Sequence, residues 1–241
     1  AMTVLDLEHQ KQSFFPEWGK KINWFRRNNK LSDFLKRSAF IMTGTKIGKK
    51  ELVDFYGIHN EKIFINPHPT PEKFKEIKSE VSPIDELIKK KDFFIYPANF
   101  WAHKNHLNLI LAMQHFLKKN DANLLLVGNQ FQNKVKLENL AKKLNIDNFI
   151  HFLGFVSDKD LYKLYKNAKC LIYPSWGGPE NLPPLEAFSL GCPVLANSIP
   201  GALEQLGDNA ILVDCSDPKL IAEKMDIICS DENLRKELIT K

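Results

Sequence analysis

Short, mainly apolar runs alternate with amphipathic segments from residue 92 onward in this 241-residue chain, and this alternation constrains the fold more than any other feature. The apolar runs are FFIYPA (93–98), LLLVG (124–128), IHFLG (150–154), CLIYPS (170–175), PVLAN (193–197) and AILVD (210–214). Strands that are apolar along their whole length are buried on both faces, as in a parallel sheet covered by helices. The pattern therefore predicts an α/β fold with a doubly wound, Rossmann-like parallel sheet of six strands.

The segments between these runs place apolar residues at helical spacing, and each is expected to form a helix. The predicted helices lie near 105–119, 133–145, 158–167, 183–190, 201–206, 217–229 and 231–240. Strands and helices then alternate along the chain, as a doubly wound domain over residues 92–241 requires.

The first 70 residues predict part of a second α/β domain. TVLDL (3–7), FIMTG (40–44) and KIFINP (62–67) are strand-like, and KKELVDFYG (49–57) reads as a helix. Gly57 is expected to end that helix in the left-handed conformation. Prolines and charges then follow, so residues 71–91 are expected to form a linker and the first helix of the next domain.

Composition excludes several classes of protein. Hydrophobic residues make up 44% of the chain and charged residues 26%, which excludes global disorder. The net charge of +5 is spread over many predicted helices. It predicts a solvated surface and no nucleic-acid partner, with a basic cleft for an anionic ligand or membrane surface as the alternative.

Cysteine usage and hydropathy indicate the compartment. The four cysteines have no CxxC spacing and predict buried free thiols in a reducing environment. No apolar run approaches the roughly 18 residues of a membrane span, and no secretory signal is visible. A cytoplasmic protein is expected.

Polar loops follow the predicted strands. In an open α/β sheet, ligands bind beyond the carboxyl ends of the strands. Lys104 follows the first strand near the start of a predicted helix. A cation and free backbone N–H groups suit a phosphate there, and a solvated loop lysine is the alternative. Asn129-Gln130 follows the second strand, and Phe155-Val156 follows the third.

The stretch PSWGGPENLPPLEAFSLGCPV (174–194) combines glycines, prolines and an acid after the fourth strand. Gly177-Gly178 and Pro183-Pro184 would hold backbone N–H groups toward a phosphate or sugar. Glu186 would accept hydrogen bonds from two vicinal hydroxyls, as acids near strand ends do for ribose. The alternative is that the helix dipole alone favours an acid in a first turn.

Three histidines lie near strand ends. His9, within DLEH after the first strand, predicts either a structural residue or a base or donor to a sugar hydroxyl. His103 and His106 have poor spacing for a metal and no completing ligand, so they are expected to be hydrogen-bonding loop residues.

The motif PS-x2-G-P-E-N-L-P-P-L-E-A-F-S-L-G-C-P-V, followed by PGALEQLGDNAILVD, resembles the retaining glycosyltransferases of family 4 (glycosyl transferases group 1). FIYPANFWAHKNH and LLLVGN precede it in the order and spacing of that family. The resemblance implies the two-domain GT-B architecture. Residues 1–70 would end the acceptor-side domain, and residues 92–241 would form the donor domain without its C-terminal crossover helix. On this basis the chain is expected to be a fragment of a longer protein.

The resemblance also implies roles for individual residues. Lys104 would bind the donor diphosphate, and Glu186 would bind the ribose hydroxyls. Asn181 and Leu182 would offer backbone contacts to the sugar or diphosphate, and Phe155 and Val156 would lie along the base. His9 would be the acceptor-side histidine.

Two positions depart from the family pattern. Gly178 stands where the first acid of the family's Glu-x7-Glu motif is expected, close to the transferred sugar. Glu180 lies two residues away and is not a clean replacement. Asn99 stands where an arginine often precedes the diphosphate lysine by five residues, so one cation facing the phosphates is missing.

The expected function is transfer of a hexose-type sugar from a UDP- or GDP-sugar to an acceptor hydroxyl with retention, in bacterial surface polysaccharide synthesis. The resemblance implies a saccharide or lipid-linked saccharide acceptor. No DxD-like set of metal-binding acids follows a strand, so no metal is expected to be required, and no other cofactor is expected. The resemblance also allows the full-length protein to associate peripherally with the inner face of the membrane. The alternatives are a nucleotide-sugar-binding module without activity and a GT-B-type epimerase or phosphorylase-like enzyme.

Overall fold

The computed structural model describes residues 1–19, 21–77, 81–129 and 133–240. The predicted loop residue Gln130 and residues 78–80 of the predicted linker lie outside the described residues. The described chain forms two compact units. Unit 1 comprises Ala1–Pro69, Gly177–Asn181 and Ile199–Gly207, and unit 2 comprises Thr70–Trp176, Leu182–Ser198 and Asp208–Lys241.

Unit 1 contains a parallel three-stranded sheet in the order β1-β2-β3. Its elements along the chain are β1 (Met2–Thr3), α1 (Glu8–Lys11), α2 (Pro16–Gly19), α3 (Lys21–Arg37), β2 (Ile41–Thr43), α4 (Lys46–Tyr56) and β3 (Ile63–Ile65), together with the later helix α10 (Pro200–Leu206). Apolar side chains from these elements and from the loops beside them meet in a core formed by Val4, Leu7, Leu35, Ile41, Leu52, Ile58 and Ile63.

The first strand is shorter than the predicted 3–7. It ends at Thr3, and the Asp6 carboxylate accepts a hydrogen bond from the Glu8 amide at 3.2 Å, which turns the chain into α1. Helix α4 begins at Thr45, whose hydroxyl accepts from the Gly48 amide at 2.9 Å. It ends at Gly57 with φ 61°, as predicted.

Unit 2 contains six parallel strands in the order β6-β5-β4-β7-β8-β9. The strands are β4 (Phe93–Pro97), β5 (Asn123–Val127), β6 (Ile150–Gly154), β7 (Cys170–Tyr173), β8 (Val194–Asn197) and β9 (Ile211–Val213). The helices are α5 (Ile84–Lys90), α6 (His106–Phe116), α7 (Asn133–Lys143), α8 (Asp158–Asn167), α9 (Leu182–Ser189), α11 (Pro218–Ser230) and α12 (Glu232–Thr240). The predicted doubly wound α/β fold is confirmed.

The strand order fixes where a ligand can bind in unit 2. The chain builds outward from β4 through β5 to β6, then returns to the other side of β4 to build β7, β8 and β9. Strands β4, β5 and β7 are almost entirely buried, as their continuous apolar runs predict. The crevice expected at a switch in strand order therefore lies between the loops that follow β4 and β7.

The cysteines are all free, and three of them are buried. Burial raises the pKa of the Cys192 thiol to about 12, so it stays protonated at neutral pH. This agrees with the prediction of buried free thiols. Across the described residues, no helix has both the length and the apolar character needed to cross a membrane.

Candidate functional site

Lys104 lies at the switch in strand order in unit 2. It is the last residue of a short 3-10 turn, Ala102–Lys104, that follows β4. Its ammonium donates to the Tyr173 hydroxyl at 3.0 Å and lies 5.4 Å from the centre of the Tyr173 ring, at the end of β7. The side chain therefore bridges the two strands between which a doubly wound sheet binds its ligand.

The charge of Lys104 has no counter-ion in the described part of the chain. Its partners there are the hydroxyl and ring of Tyr173, both neutral. Helix α6 begins two residues later, at His106, and its first amides lack helical acceptors. A cation beside a helix N-terminus can bind the oxygens of a phosphate.

Two buried asparagines join the loops around this crevice. Asn105 adopts φ 57°, and its Nδ2 donates to the carbonyls of Pro174 at 3.1 Å and Cys215 at 3.0 Å. Asn197 Nδ2 donates to the Ser175 carbonyl at 3.1 Å, and its Oδ1 accepts from the Cys215 amide at 3.1 Å. The loops after β4, β7, β8 and β9 are thus tied together. Sequence reasoning missed both residues.

Glu186 is held by two partners that the sequence did not predict. Its Oε2 accepts from the Tyr165 hydroxyl at 2.9 Å, and its Oε1 lies 2.7 Å from Lys73 Nζ. Burial and the Glu186 charge raise the pKa of Tyr165 well above its usual value, so the hydroxyl keeps its proton and donates.

The structure weakens the helix-dipole explanation of Glu186. Helix α9 begins at Leu182, so Glu186 falls in its second turn, and the first turn contains no acid. The dipole acts mainly within the first turn. The residue as a whole is only 7% exposed, and the position of its carboxylate is better explained by Tyr165 and Lys73 than by the helix terminus.

His106 is a core residue rather than a hydrogen-bonding loop histidine. Its ring packs between Tyr96 and Phe100, with centroids 4.7 Å and 4.8 Å away. Burial, together with the charge of Lys104, lowers the pKa of His106 to about 3, so the ring is neutral at physiological pH. The His106 ring thus packs the first residue of α6 into the core.

The remaining predicted residues of unit 2 lie in loops at the carboxyl ends of the strands. Phe155 follows β6 with 82% of its surface exposed, and Val156 beside it is half-buried. Leu182 begins α9 and is also exposed. Asn99 Oδ1 accepts from the Asn129 amide at 2.9 Å, so this side chain joins the loops after β4 and β5.

His9 lies in unit 1 and is fully buried there. Its Nε2 is 3.1 Å from the Tyr56 hydroxyl. Burial and the nearby charge of Arg27 lower the pKa of His9 to about 4, although Asp6 acts in the opposite direction. The imidazole is therefore neutral at physiological pH and can exchange hydrogen bonds without carrying charge.

The glycine-rich segment Gly177–Asn181 groups with unit 1, which sequence continuity alone could not reveal. Gly178 has φ 99°, and its amide donates to Glu8 Oε1 at 3.1 Å. A Cβ on Gly177 would lie 2.6 Å from the Trp18 ring and 3.2 Å from the Glu8 carboxyl carbon. Both positions therefore require glycine, one for its backbone angle and one for space.

Asn181 and Glu180 have structural partners in unit 1. The Asn181 amide donates to Gln205 Oε1, and its carbonyl accepts from Gln205 Nε2, both at 3.0 Å. Glu180 Oε1 accepts from the His68 amide at 2.8 Å, and its carboxylate fills the space above Gly44. Glu180 thus fixes the backbone after β3.

Metal ligands are not clustered in the described part of these loops. Within residues 1–19, 21–77, 81–129 and 133–240, no group of three or more His, Cys, Asp or Glu side chains is arranged to hold a metal ion. Of the predicted site residues, Lys104, Glu186, Asn99, Leu182, Phe155 and Val156 belong to unit 2, and His9, Gly178 and Asn181 belong to unit 1.

Comparison with known proteins identifies the family. The model of the glycosyl transferases group 1 family matches residues 78–241, more than half of the chain. The chain belongs to the glycosyl transferases group 1 family. The match covers every strand described in unit 2, the turn that carries Lys104 and the helix that carries Glu186.

A curated protein and two solved structures show how this group 1 chain relates to known proteins. O-antigen chain mannosyltransferase RfbU of Salmonella typhimurium is 26% identical over 221 residues, which are 91% of this chain and 58% of the relative. WaaG, a glycosyltransferase involved in lipopolysaccharide biosynthesis, is similar in structure with a TM-score of 0.76 and 18% identity, over 99% of this chain and 68% of its own. HepE of Anabaena, solved in complex with UDP and glucose, gives a TM-score of 0.72 and 19% identity, over 86% of this chain and 57% of its own.

These likenesses establish the GT-B glycosyltransferase fold for the group 1 chain. The chain spans 58% of the length of RfbU, a protein of bacterial O-antigen synthesis.

Proposed function

We propose that this chain contributes the donor-binding site of a retaining family 4 glycosyltransferase. It would transfer a hexose-type sugar from a UDP- or GDP-sugar to an acceptor hydroxyl, in the synthesis of a bacterial surface polysaccharide. The observation that carries the proposal is Lys104, a cation that has no paired acid among the described residues and lies at the switch in strand order of a group 1 domain. The UDP and glucose bound to HepE, which shares the fold, support a nucleotide donor.

The diphosphate is the part of the donor that the geometry of unit 2 suits best. Lys104 would contact its oxygens, and the first amides of α6 would donate to them. Negative charge develops on the diphosphate as it leaves the sugar. A fixed cation at that position stabilises the charge by about 2–4 kcal/mol, to judge from charge-stabilising donors in other enzymes.

The nucleoside would lie on the same rim. Glu186 would accept hydrogen bonds from the ribose hydroxyls, and the exposed Phe155 and the backbone of Val156 would line the base. Backbone contacts from Leu182 to the sugar or diphosphate complete this part of the proposal. Asn181 is left out of it, because its backbone amide and carbonyl both bond to Gln205.

Retention would follow from front-face displacement. Position 178 is glycine, so the chain supplies no carboxylate nucleophile there. The acceptor oxygen would form its bond to the anomeric carbon as the bond to the diphosphate breaks. The acceptor proton would pass to the departing diphosphate oxygen, and catalysis would rest on positioning and electrostatic stabilisation.

The acceptor side is proposed on fewer residues. His9, a neutral imidazole in unit 1, would act near the acceptor hydroxyl. A saccharide or lipid-linked saccharide is the proposed acceptor, with peripheral association at the inner face of the membrane for the full-length protein. No metal is proposed to take part, so the reaction should proceed in the presence of EDTA.

The experiment that tests this function begins with a thermal-shift screen of UDP-, GDP- and ADP-sugars. The donor that raises the melting temperature is then incubated with the full-length protein and saccharide acceptors, and the anomeric configuration of the product is read by NMR. A product with the configuration of the donor supports the proposal, and an inverted product contradicts it. Binding without any transfer would indicate a nucleotide-sugar-binding module instead.

A further inference from the structure

We propose that Lys73 is a positioning residue of the donor site, which holds Glu186 in place for the ribose hydroxyls of a nucleoside diphosphate. The inference rests on the proposed role of Glu186 and adds a residue that the site motifs do not include. Lys73 comes from the segment that precedes α5, far from Glu186 in sequence, and both belong to unit 2.

Lys73 connects two parts of the proposed nucleoside site. Its ammonium lies 2.7 Å from Glu186 Oε1 and 3.6 Å from Asp158 Oδ1. Asp158 is the first residue of α8 and follows Val156, which is proposed to line the base, by two residues. The Lys73 ammonium thus lies near Glu186, which is proposed to bind the ribose, and near Asp158 at the start of α8, beside the residues proposed to line the base.

The backbone that carries Lys73 is firmly placed. Phe74, the next residue, is 4% exposed. Its ring packs on Tyr162 and Tyr165 of α8, with centroids 6.3 Å and 6.0 Å away. The lysine therefore starts from a fixed point, and its ammonium reaches Glu186 from a defined direction.

The hydrogen-bond capacity of Glu186 matches a vicinal diol. An ionised carboxylate has about four acceptor positions. Lys73 uses one on Oε1 and Tyr165 uses one on Oε2, at 2.7 Å and 2.9 Å. One acceptor position is left on each oxygen, and two adjacent ribose hydroxyls require two. Because both oxygens are already held, the carboxylate needs little reorganisation when the nucleotide binds.

The pair differs from an ordinary surface ion pair. Lys75, two residues away, pairs with Glu72 where both side chains are exposed, at 68% and 74%. The Glu186 side chain is only 9% exposed, whereas Lys73 is 38% exposed. A carboxylate removed from water needs a counter-charge, and a surface carboxylate does not. Lys75 is therefore a matched control on the same segment.

The test measures binding of UDP and GDP, and of their 2′,3′-dideoxy counterparts, to the wild-type chain and three variants by calorimetry. Lys73→Met should weaken ribonucleotide binding about fivefold, a typical coupling between groups in contact. It should leave binding of the dideoxy nucleotides unchanged, since these lack the hydroxyls from which Glu186 would accept hydrogen bonds. Lys73→Arg should retain the preference for ribose, and Lys75→Met should bind all nucleotides as wild type does.

A purely structural role would weaken both classes of nucleotide equally, and that result, or unchanged ribonucleotide binding, would overturn the inference. Circular dichroism checks that Lys73→Met is folded, and Lys73→Gln repeats the test if it is not. Glu186→Gln separates the two levels of the argument. If it abolishes the ribose preference while Lys73→Met retains it, only the role of Lys73 fails. If Glu186→Gln retains the preference for ribonucleotides, or if neither UDP nor GDP binds, the proposed function of the site is itself wrong.

Discussion

Asn105 should be the most sensitive position of the crevice, because it combines a left-handed backbone with two buried hydrogen bonds. Its φ is 57°, its Nδ2 donates to the carbonyls of Pro174 and Cys215, and the residue is 4% exposed. We expect Asn105→Ala to lose both bonds and to place a Cβ in a disfavoured conformation.

The cost can be worked out from these contacts. An alanine in the left-handed region costs about 1–2 kcal/mol. Each lost hydrogen bond adds about 1 kcal/mol, and more where a carbonyl stays buried without a donor. The free energy of unfolding should therefore fall by about 3–4 kcal/mol.

Asn145 offers a matched control. It has nearly the same φ, 56°, but it is exposed on the surface after α7. Asn145→Ala should therefore cost only the conformational part, about 1–2 kcal/mol. Urea unfolding followed by tryptophan fluorescence gives both values, and their difference isolates the two hydrogen bonds.

The same variants test the link from Asn105 to the site. Because Asn105 follows Lys104 directly, calorimetry should show weaker UDP or GDP binding for Asn105→Ala and unchanged binding for Asn145→Ala. Equal destabilisation by the two substitutions would refute the account of Asn105 as the residue that joins the loops.

Three further predictions follow from individual contacts. Gly44→Ala should destabilise unit 1, because the new Cβ would lie 1.3 Å from Glu180 Oε2. Adding Glu180→Ala should recover part of this loss in melting temperature. A double variant whose melting temperature falls by the sum of the two single decreases would contradict this. The pKa of His106 is about 3 in the folded chain, below its usual value of 6.5, so the unfolded chain binds more protons between these two values and the free energy of unfolding should fall as the pH drops from about 6.5 toward 3. His106→Phe should flatten the dependence of the urea midpoint on pH. An unchanged slope would contradict the assignment. Tyr165→Phe removes a hydrogen bond to the charged Glu186 and should lower the free energy of unfolding by about 1.5–3 kcal/mol. Tyr96→Phe removes a hydrogen bond to the Lys104 carbonyl and should lower it by about 0.5–1.5 kcal/mol. The reverse order in urea unfolding would contradict the proposed geometry.

The sheet of unit 2 could be predicted because burial on both faces leaves a short, mainly apolar run for most of its strands. Helix α3 in unit 1 could not be predicted in the same way. Its inward face includes Asn28, which accepts from the Tyr56 hydroxyl at 2.7 Å, while Ile22 and Phe25 are exposed. A polar residue on the buried face and apolar residues outside obscure the helical period, although Leu31 and Leu35 keep its spacing.

The candidate site divides along similar lines. Lys104 and Glu186 follow strands within recognisable motifs, so the sequence could nominate them. Lys73 and Tyr165 could not be nominated, because their meaning comes from long-range contacts with Glu186 that no local pattern encodes. Sequence order also places Gly177–Asn181 beside α9, whereas its contacts group it with unit 1.

The central claim is that the crevice between β4 and β7 binds a nucleoside diphosphate through Lys104. Calorimetric titration of UDP and GDP into the wild-type chain, Lys104→Ala and the surface control Lys75→Met tests it most directly. The account predicts that one nucleotide binds the wild type and Lys75→Met equally, and binds Lys104→Ala at least about tenfold more weakly, as expected when a charge-assisted contact worth about 1.5–3 kcal/mol is lost. Equal affinity for all three proteins would contradict it.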